Sequence, residues 1–445
     1  GGVCGEIGFG HGMCSGRCPH RLGVCHCVDA AAVPAVCIAP MSASPNPVAL
    51  PDWNDRPDPL LLLTMALVGV FAFLQVYSVQ SILPELQRDL NATVVQIGSA
   101  VGATVLAVAL VSPLMGMASD ALGRKAMVVA SVCALALPTM AMIQVESVHG
   151  LTVLRFLQGL AVPGVTVVTI AYIGEEFRGA AMARVMAVYV AGNVLGGFLG
   201  RFVLGHLTEW MSWRAAFGVL GGLNLAGAVL VGRVLPASRH FVPNLRLGGA
   251  LRTLGELLRH PGLQAACALG LTVLFVQVGM FTYVNFHLAG APYHFGPAAL
   301  ANVFAVYLIG VVVTPLAGRW IARLGARRTI LLSVGLSALG VGLTLLPTAG
   351  GVVVALALAA CGTFITQSAT LSFLAYRITQ GRSLASGLYY TAYYLGGFGG
   401  AWVGGFAYAR GGWPGTVALL LGVQALGWAI AWRFMPPPRV PPVAG

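Results

Sequence analysis

"GMASDALGRK", residues 116–125, places an acid and two bases within ten residues of a chain that is 58% hydrophobic and only 9% charged. Lys125 is the only lysine in the sequence. Long apolar runs flank the stretch on both sides, near 94–117 and 126–145. A short charged turn between two such runs reads as the aqueous end of a membrane hairpin, because charge is costly anywhere deeper.

Working outward, residues 60–83 and 263–286 carry no charge at all. About 20 apolar residues suffice for one helix to cross roughly 30 Å of hydrocarbon. The 59 glycines fit helices that pack backbone to backbone in a membrane. Further spans fall near 150–173, 183–205, 214–234, 299–317, 329–347, 351–374, 384–408 and 414–434. The expected fold class is therefore all-α and polytopic, with twelve transmembrane helices in two six-helix bundles, residues 60–234 and 263–434. The longest polar connection, 235–262, reads as a cytoplasmic linker with a short amphipathic helix around 249–260. Residues 435–445 read as a Pro-rich cytoplasmic tail.

Residues 1–59 read as a disordered leader and polar tail, with Met41 as an alternative start. Six of the nine cysteines lie in residues 1–37, but their spacings lack the matched second pair of a zinc site. Cys133, Cys267 and Cys361 sit singly in apolar runs and read as packing residues. No metal and no cofactor is expected. The net charge of +12 comes from arginines scattered between apolar segments, which argues for loops and against a nucleic-acid partner.

The charge distribution supports the span count. With the opening loop cytoplasmic, the loops and tail on that side hold 17 of the 25 basic residues. The opposite side holds Arg88, Arg214 and Arg410, while Arg155 and Arg201 lie within spans. That asymmetry places both termini in the cytoplasm.

The halves are also related to one another. "YVAGNVLGGFLGRFVLG" (189–205) aligns with "YTAYYLGGFGGAWVGG" (390–405), so that Gly196, Gly197, Phe198, Gly200 and Gly205 meet their counterparts 200 residues later. Gly116 and Gly123 find theirs in Gly318 and Gly325, 202 residues on, and Ala322 stands where Asp120 stood. Two parallel six-helix repeats form the architecture of a rocking transporter with its substrate between the halves.

From about residue 58 onward the chain resembles the major facilitator superfamily. Gly116-x3-Asp120-x2-Gly123-Arg124-Lys125 matches that family's loop 2–3 signature. Arg155-x2-Gln158-Gly159 looks like its span-four signature, typical of proton-coupled members. The glycine-rich span five is similar to the antiporter signature of the drug:proton branch, although Gly196-Gly197 and Arg201 stand where a glycine–proline pair is usual. With "LPASRHFVP" (235–243), the pattern looks most similar to the YnfM-like group of twelve-span transporters of the bacterial inner membrane. The resemblance implies a monomeric, multi-pass plasma-membrane protein whose partners are a small-molecule substrate, protons and lipid. It leans toward efflux, with proton-coupled uptake of an anionic or neutral metabolite as the alternative and a non-transporting receptor as a remote one.

The motif residues then acquire physical roles. A carboxylate at the end of span two can face the positive N-terminus of another helix, an interaction contributing about 0.3–1 kcal/mol. The resemblance names that helix as span eleven, starting near Ser383, so Asp120 reads as a conformational latch. Arg124 and Lys125 would hold the loop to carbonyls or lipid phosphate. Arg155, buried in span four, needs interior partners. Gly192, Gly196 and Gly200, and likewise Gly396, Gly400 and Gly404, let helices approach closely and read as sliding seams. Candidate cavity residues are Gln75, Tyr77, Gln277, Tyr283, Asn285, Tyr389 and Tyr393.

Other function classes fail. An ATP-driven pump would need Gly-Lys-Ser/Thr, yet Ala126 follows the sole lysine. No clustered catalytic set lies in or near the spans, so the chain does not read as an enzyme. All 13 acids fall in the leader, in loops or at span ends, whereas Arg155 and Arg201 lie deeper. A cavity with positive fixed charge favours anionic or neutral cargo. The proton carrier is left among Asp120, Glu85, His206 and His287.

Overall fold

The computed structural model describes residues 57–238, 255–378 and 382–435. The expected leader, nearly all of the polar tail before the first span, residues 239–254 of the linker with the first half of its expected amphipathic helix, and all but the first residue of the C-terminal tail lie outside the described residues. Within them every regular element is helical. The long helices are α3 (Val94–Leu122), α4 (Arg124–Ala141), α5 (Val148–Glu176), α6 (Gly179–Leu207) and α7 (Trp213–Val234), then α8 (Pro261–Ala289), α11 (Ala326–Leu343), α12 (Ala349–Arg377) and α13 (Arg382–Phe434).

Two spans contain a 3-10 turn, and the first of them is bent there. The first comprises α1 (Pro59–Leu74), a 3-10 turn (Ser78–Ile82) and α2 (Leu83–Asp89), bent by 46°. The eighth comprises α9 (Pro297–Val303), a 3-10 turn (Phe304–Leu308) and α10 (Ile309–Leu324). Among the described residues ten helices are long and apolar enough to cross a membrane, or eleven if the bent first pair counts as one span. The expected spans 384–408 and 414–434 account for the remaining difference. They are two helices joined across a kink at Gly412, which takes φ 59° and ψ −151°, and carry the single label α13 here.

Local chemistry sets these boundaries. Thr93 and Gln96 form a reciprocal capping box at the start of α3, and Ser147, Ser212 and Thr348 cap α5, α7 and α12 with side-chain oxygens. The opening motif closes through Gly123 (φ 90°), which ends α3 and begins α4 in one residue. Gly325 (φ 77°) does the same between α10 and α11. That conformation is cheap only for glycine, which is why both repeats keep it there.

The repeat is visible in packing. A Cβ on Gly196 would overlap the Val70 carbonyl and one on Gly200 the Leu74 carbonyl, so α6 lies backbone against α1. Gly396 and Gly400 meet the Leu271 and Phe275 carbonyls in the same way, so α13 lies against α8. Gly192 extends the first seam to Ala66, whereas Gly404 meets the Tyr283 ring. Large apolar side chains such as Leu122, Leu137 and Val354 are more than two-thirds exposed (68%, 68% and 69%). In water such a surface would aggregate, but facing lipid it needs no cover.

The two bundles meet along α3 with α13 and along α6 with α9. Gly98 and Gly102 face Ala401 and Phe398, and Gly205 faces Pro297 and Ala301. These contacts gather toward the end carrying Asp89, Arg214 and the 290–296 loop, opposite the end that carries the opening motif.

Candidate functional site

The break in the first span organises the first bundle's interior. α1 ends at Leu74, and the carbonyls of Gln75 and Val76 have left the helical ladder. Within a membrane such groups need a partner, since water is absent. Arg155 of α5 supplies it. Its Nη1 donates to the Gln75 carbonyl at 2.8 Å and to Gln158 Oε1 at 2.7 Å, and its Nη2 donates to the Val76 carbonyl. Gln158 Nε2 in turn donates to Thr139 Oγ1 at 2.6 Å, which reaches α4. The Gln75 amide donates to the Leu220 carbonyl of α7 at 3.1 Å. Both Nη groups of a fully buried guanidinium thus serve an unwound helix end, while Arg155 Nε and Gln75 Oε1 stay unpaired. A Cβ at Gly159 would collide with the Thr104 carbonyl, so the third signature residue lets α5 and α3 touch.

Arg201 of α6 forms a second polar centre, 1% exposed. Its Nε and Nη2 both donate to Gln80 Oε1, at 2.9 and 2.6 Å, and Nη1 donates to the Gly197 carbonyl at 2.5 Å. Three aromatic rings surround the guanidinium: Tyr77 at 4.8 Å, Phe304 at 4.6 Å and Tyr307 at 4.7 Å. Cation–π contact of this kind contributes roughly 0.5–2 kcal/mol per ring, more when water is excluded. Phe304 and Tyr307 belong to the second bundle. Gln80 also crosses, its Nε2 donating to Thr282 Oγ1 of α8 at 3.1 Å. Among the described residues no acid pairs with Arg201.

Tyrosines line the boundary between the bundles. Tyr389, Tyr390, Tyr393 and Tyr394 of α13 stack or meet edge-on, with ring centroids from 5.4 to 6.3 Å apart. Tyr77 and Tyr394 each pack against both apolar cores of the protein. At the end where the bundles meet, a cavity of about 620 Å³ draws residues from both, including Ser81, Glu85, Arg88, His294, Leu300 and Tyr408. Ser81 links this cavity to the second polar centre, since its hydroxyl donates to the Arg201 carbonyl at 3.0 Å.

At the motif loop, Arg124 is 7% exposed and forks onto Glu175 at the end of α5, with Nε donating at 3.1 Å and Nη2 at 2.5 Å. It also donates to the Ser119 hydroxyl. The loop is thus tied to a carboxylate of its own bundle; carbonyls or lipid were the expected partners. Asp120 and Gly116 lie on the last turns of α3, and Ser383 near the start of α13; the side chains that would form the latch lie outside the described residues.

The other sequence candidates divide. Tyr77, Tyr389 and Tyr393 enter the tyrosine assembly, and Gln277 is buried with its Oε1 unpaired. Tyr283 donates its hydroxyl to the Ala401 carbonyl, and Asn285 donates to the Phe281 carbonyl of its own helix at 2.6 Å, so both direct their polar atoms at backbone. Glu175, Gln80, Thr282 and Tyr307 were not among the candidates. The polar cluster "QVYSVQS" (75–81) inside an apolar span was the available signal for Gln80.

The Major Facilitator Superfamily profile matches residues 65–398 and, overlapping, 286–445. The inner membrane transport protein YnfM of Escherichia coli strain K12 is 31% identical over 372 residues, 82% of this chain and 89% of that protein. The uncharacterized MFS-type transporter YybF of Bacillus subtilis strain 168 is 29% identical over 79% of this chain and 87% of its own length. A bacterial homologue of the human lysosomal transporter Spinster, solved inward-facing and unoccupied, shares the fold with a TM-score of 0.68 at 14% identity. That match covers 85% of this chain and 98% of the other. With the repeated helix seams and the profile match over most of its length, the chain belongs to the major facilitator superfamily and is a transporter, not an enzyme.

Proposed function

We propose that this protein is a proton-coupled secondary transporter that exports a neutral or anionic small organic molecule across the bacterial inner membrane by alternating access. The carrying observation is the sign of the interior charge. Arg155 and Arg201 are the fully buried charges between the described helices, while Glu85, Asp89, Glu146, Glu175, Glu176 and Glu209 sit at helix ends or in loops. In a low-dielectric interior two fixed positive charges repel a cation and attract an anion. The basic bias of the motif side assigns that side to the cytoplasm, so the closed end faces outward and the tyrosine-lined boundary is reached from inside. The protein acts as a monomer with both termini cytoplasmic, and Asp120 latches the motif loop.

Flux into inside-out vesicles tests the reading. An organic anion such as benzoate should accumulate when an inward-acid gradient is imposed and leak back when a protonophore collapses it. Gradient-driven export of ethidium-like cations with no effect on anions or neutral solutes would overturn the cargo assignment. Accumulation indifferent to the gradient would overturn the coupling.

A further inference from the structure

The chemistry around Arg201 has an unusual feature: its principal acceptor is a neutral amide oxygen that takes two N–H bonds, one from Nε and one from Nη2. Those two donors form one edge of the guanidinium fork, the edge that matches the two oxygens of a carboxylate. Gln80 Oε1 fills that edge with a single uncharged atom. The same side chain, through its Nε2, holds Thr282 of the opposite bundle. Arg201 and the inter-bundle bond therefore share one residue.

We infer that Arg201 is the docking point for a carboxylate of the cargo, and that the carboxylate displaces Gln80 and so unbolts the closed end. This rests on the anionic-cargo reading above and names its chemical class, an organic carboxylate with an aromatic or flat apolar body. The charge argument comes first. Arg201 is buried without an acid among the described residues, and a carboxylate would bring a negative charge and two oxygens to the fork edge that Gln80 fills with one neutral atom. The body of the ligand follows from the rings: Tyr77, Phe304 and Tyr307 already contact the guanidinium plane, and aromatic groups prefer such neighbours. The exit route follows from Ser81, which lines the 620 Å³ cavity at the closed end and bonds the Arg201 carbonyl.

The geometry also explains how binding is coupled to opening. Phe304, Tyr307 and Thr282 all belong to the second bundle, so rocking the bundles apart at this end takes two of the three rings off Arg201 and the Thr282 hydroxyl off Gln80. A carboxylate that occupies the fork leaves Gln80 without its acceptor role, and the Gln80–Thr282 bond loses the alignment that Arg201 imposed. Arrival of the anion and release of the bolt become one event, and a ligand that binds the open state better shifts the population toward it.

The test uses the full chain in proteoliposomes, with native cysteines replaced and a reporter Leu300→Cys at the floor of the cavity, where Leu300 is 2% exposed. Labelling by a membrane-impermeant maleimide reports opening, with benzoate as probe and neutral benzamide as control. Benzoate should raise the labelling rate several-fold and benzamide should leave it unchanged. Gln80→Glu places a permanent carboxylate on Arg201 and removes the donor to Thr282, so basal labelling should rise and the benzoate response vanish. Thr282→Val should raise basal labelling while keeping the response. Gln80→Ala, a second probe should Gln80→Glu fail to insert, should lower the half-saturating benzoate concentration roughly tenfold by removing two competing hydrogen bonds. Equal responses to benzoate and benzamide, or a Gln80→Glu protein that responds like its parent, would overturn the inference. Because labelling requires no flux, a chain that transports yet ignores benzoate refutes this inference alone, and a chain without gradient-driven flux refutes the proton-coupled export proposed above.

Discussion

Replacing Arg155 by lysine keeps one positive charge at the same depth and removes the planar fork, so the consequence can be estimated from the bonds on each side. The guanidinium donates to three acceptors: the Gln75 and Val76 carbonyls and Gln158 Oε1. An ammonium on a shorter stem is a point donor and can hold one carbonyl of the break, but not two carbonyls and the amide together. At least one charge-assisted bond is lost, which costs about 1.5–3 kcal/mol, and the abandoned carbonyl lies where no water replaces it. By the factor of ten per 1.4 kcal/mol, the conformation with the intact break should lose population by roughly one to two orders of magnitude. Gradient-driven flux in inside-out vesicles should fall accordingly for Arg155→Lys and disappear for Arg155→Ala, while Arg155→Lys still reaches the membrane in normal amount. The unfolding midpoint in detergent should drop for both, more for alanine. Parental flux in Arg155→Lys with an unchanged midpoint would refute the claim that the arginine staples the break.

Glu175→Gln should loosen the motif loop by about 1.5–3 kcal/mol through loss of the charged fork on Arg124, visible as faster proteolysis of that loop in inverted vesicles. Asp120→Asn should cut transport strongly with normal expression, whereas substitution of Ala322, its counterpart in the second repeat, should matter far less; flux assays on both decide. Gly200→Val and Gly400→Val should each block close helix approach, since a Cβ would overlap the Leu74 or Phe275 carbonyl, and detergent-solubilised yield of folded protein should fall for both. Dye-efflux assays in overproducing cells should show no protection against ethidium-like cations.

The helical membrane fold and its internal repeat were legible in the sequence because both are written locally. Uncharged runs of span length, and glycines spaced by four at an offset of 200, need no tertiary information. The broken first span was not legible. "QVYSVQS" reads as polar side chains looking into a cavity, yet Gln75 binds the Leu220 carbonyl and the unwinding beside it is held by Arg155, 80 residues away. Glu175 escaped for the same reason: 51 residues separate it from Arg124, and an acid at a span end has no local mark of its partner. The separation of the last two spans was legible as well, since the run Gly411-Gly412-Trp413-Pro414 reads as a break and Gly412 leaves the helical conformation there. Arg201 was recognised as a buried charge, but its rings come from Phe304 and Tyr307, more than a hundred residues further on, so nothing near it in the chain marks the cage.

The two buried arginines also differ in when their surroundings exist. Every group that Arg155 bonds lies between Gln75 and Gln158, so the ribosome has made nearly all of them before α5 enters the bilayer, and the guanidinium finds its acceptors on arrival. Gln80 and Gly197 likewise precede Arg201, but Thr282, Phe304 and Tyr307 do not. At roughly 5–20 residues per second, the 106 residues from Arg201 to Tyr307 take about 5–20 s to synthesise. Throughout that interval the nascent first bundle carries a positive charge attended by one ring instead of three. Synthesis of the second bundle therefore completes the environment of a charge already in the membrane, and the order of translation makes the first bundle wait for the second.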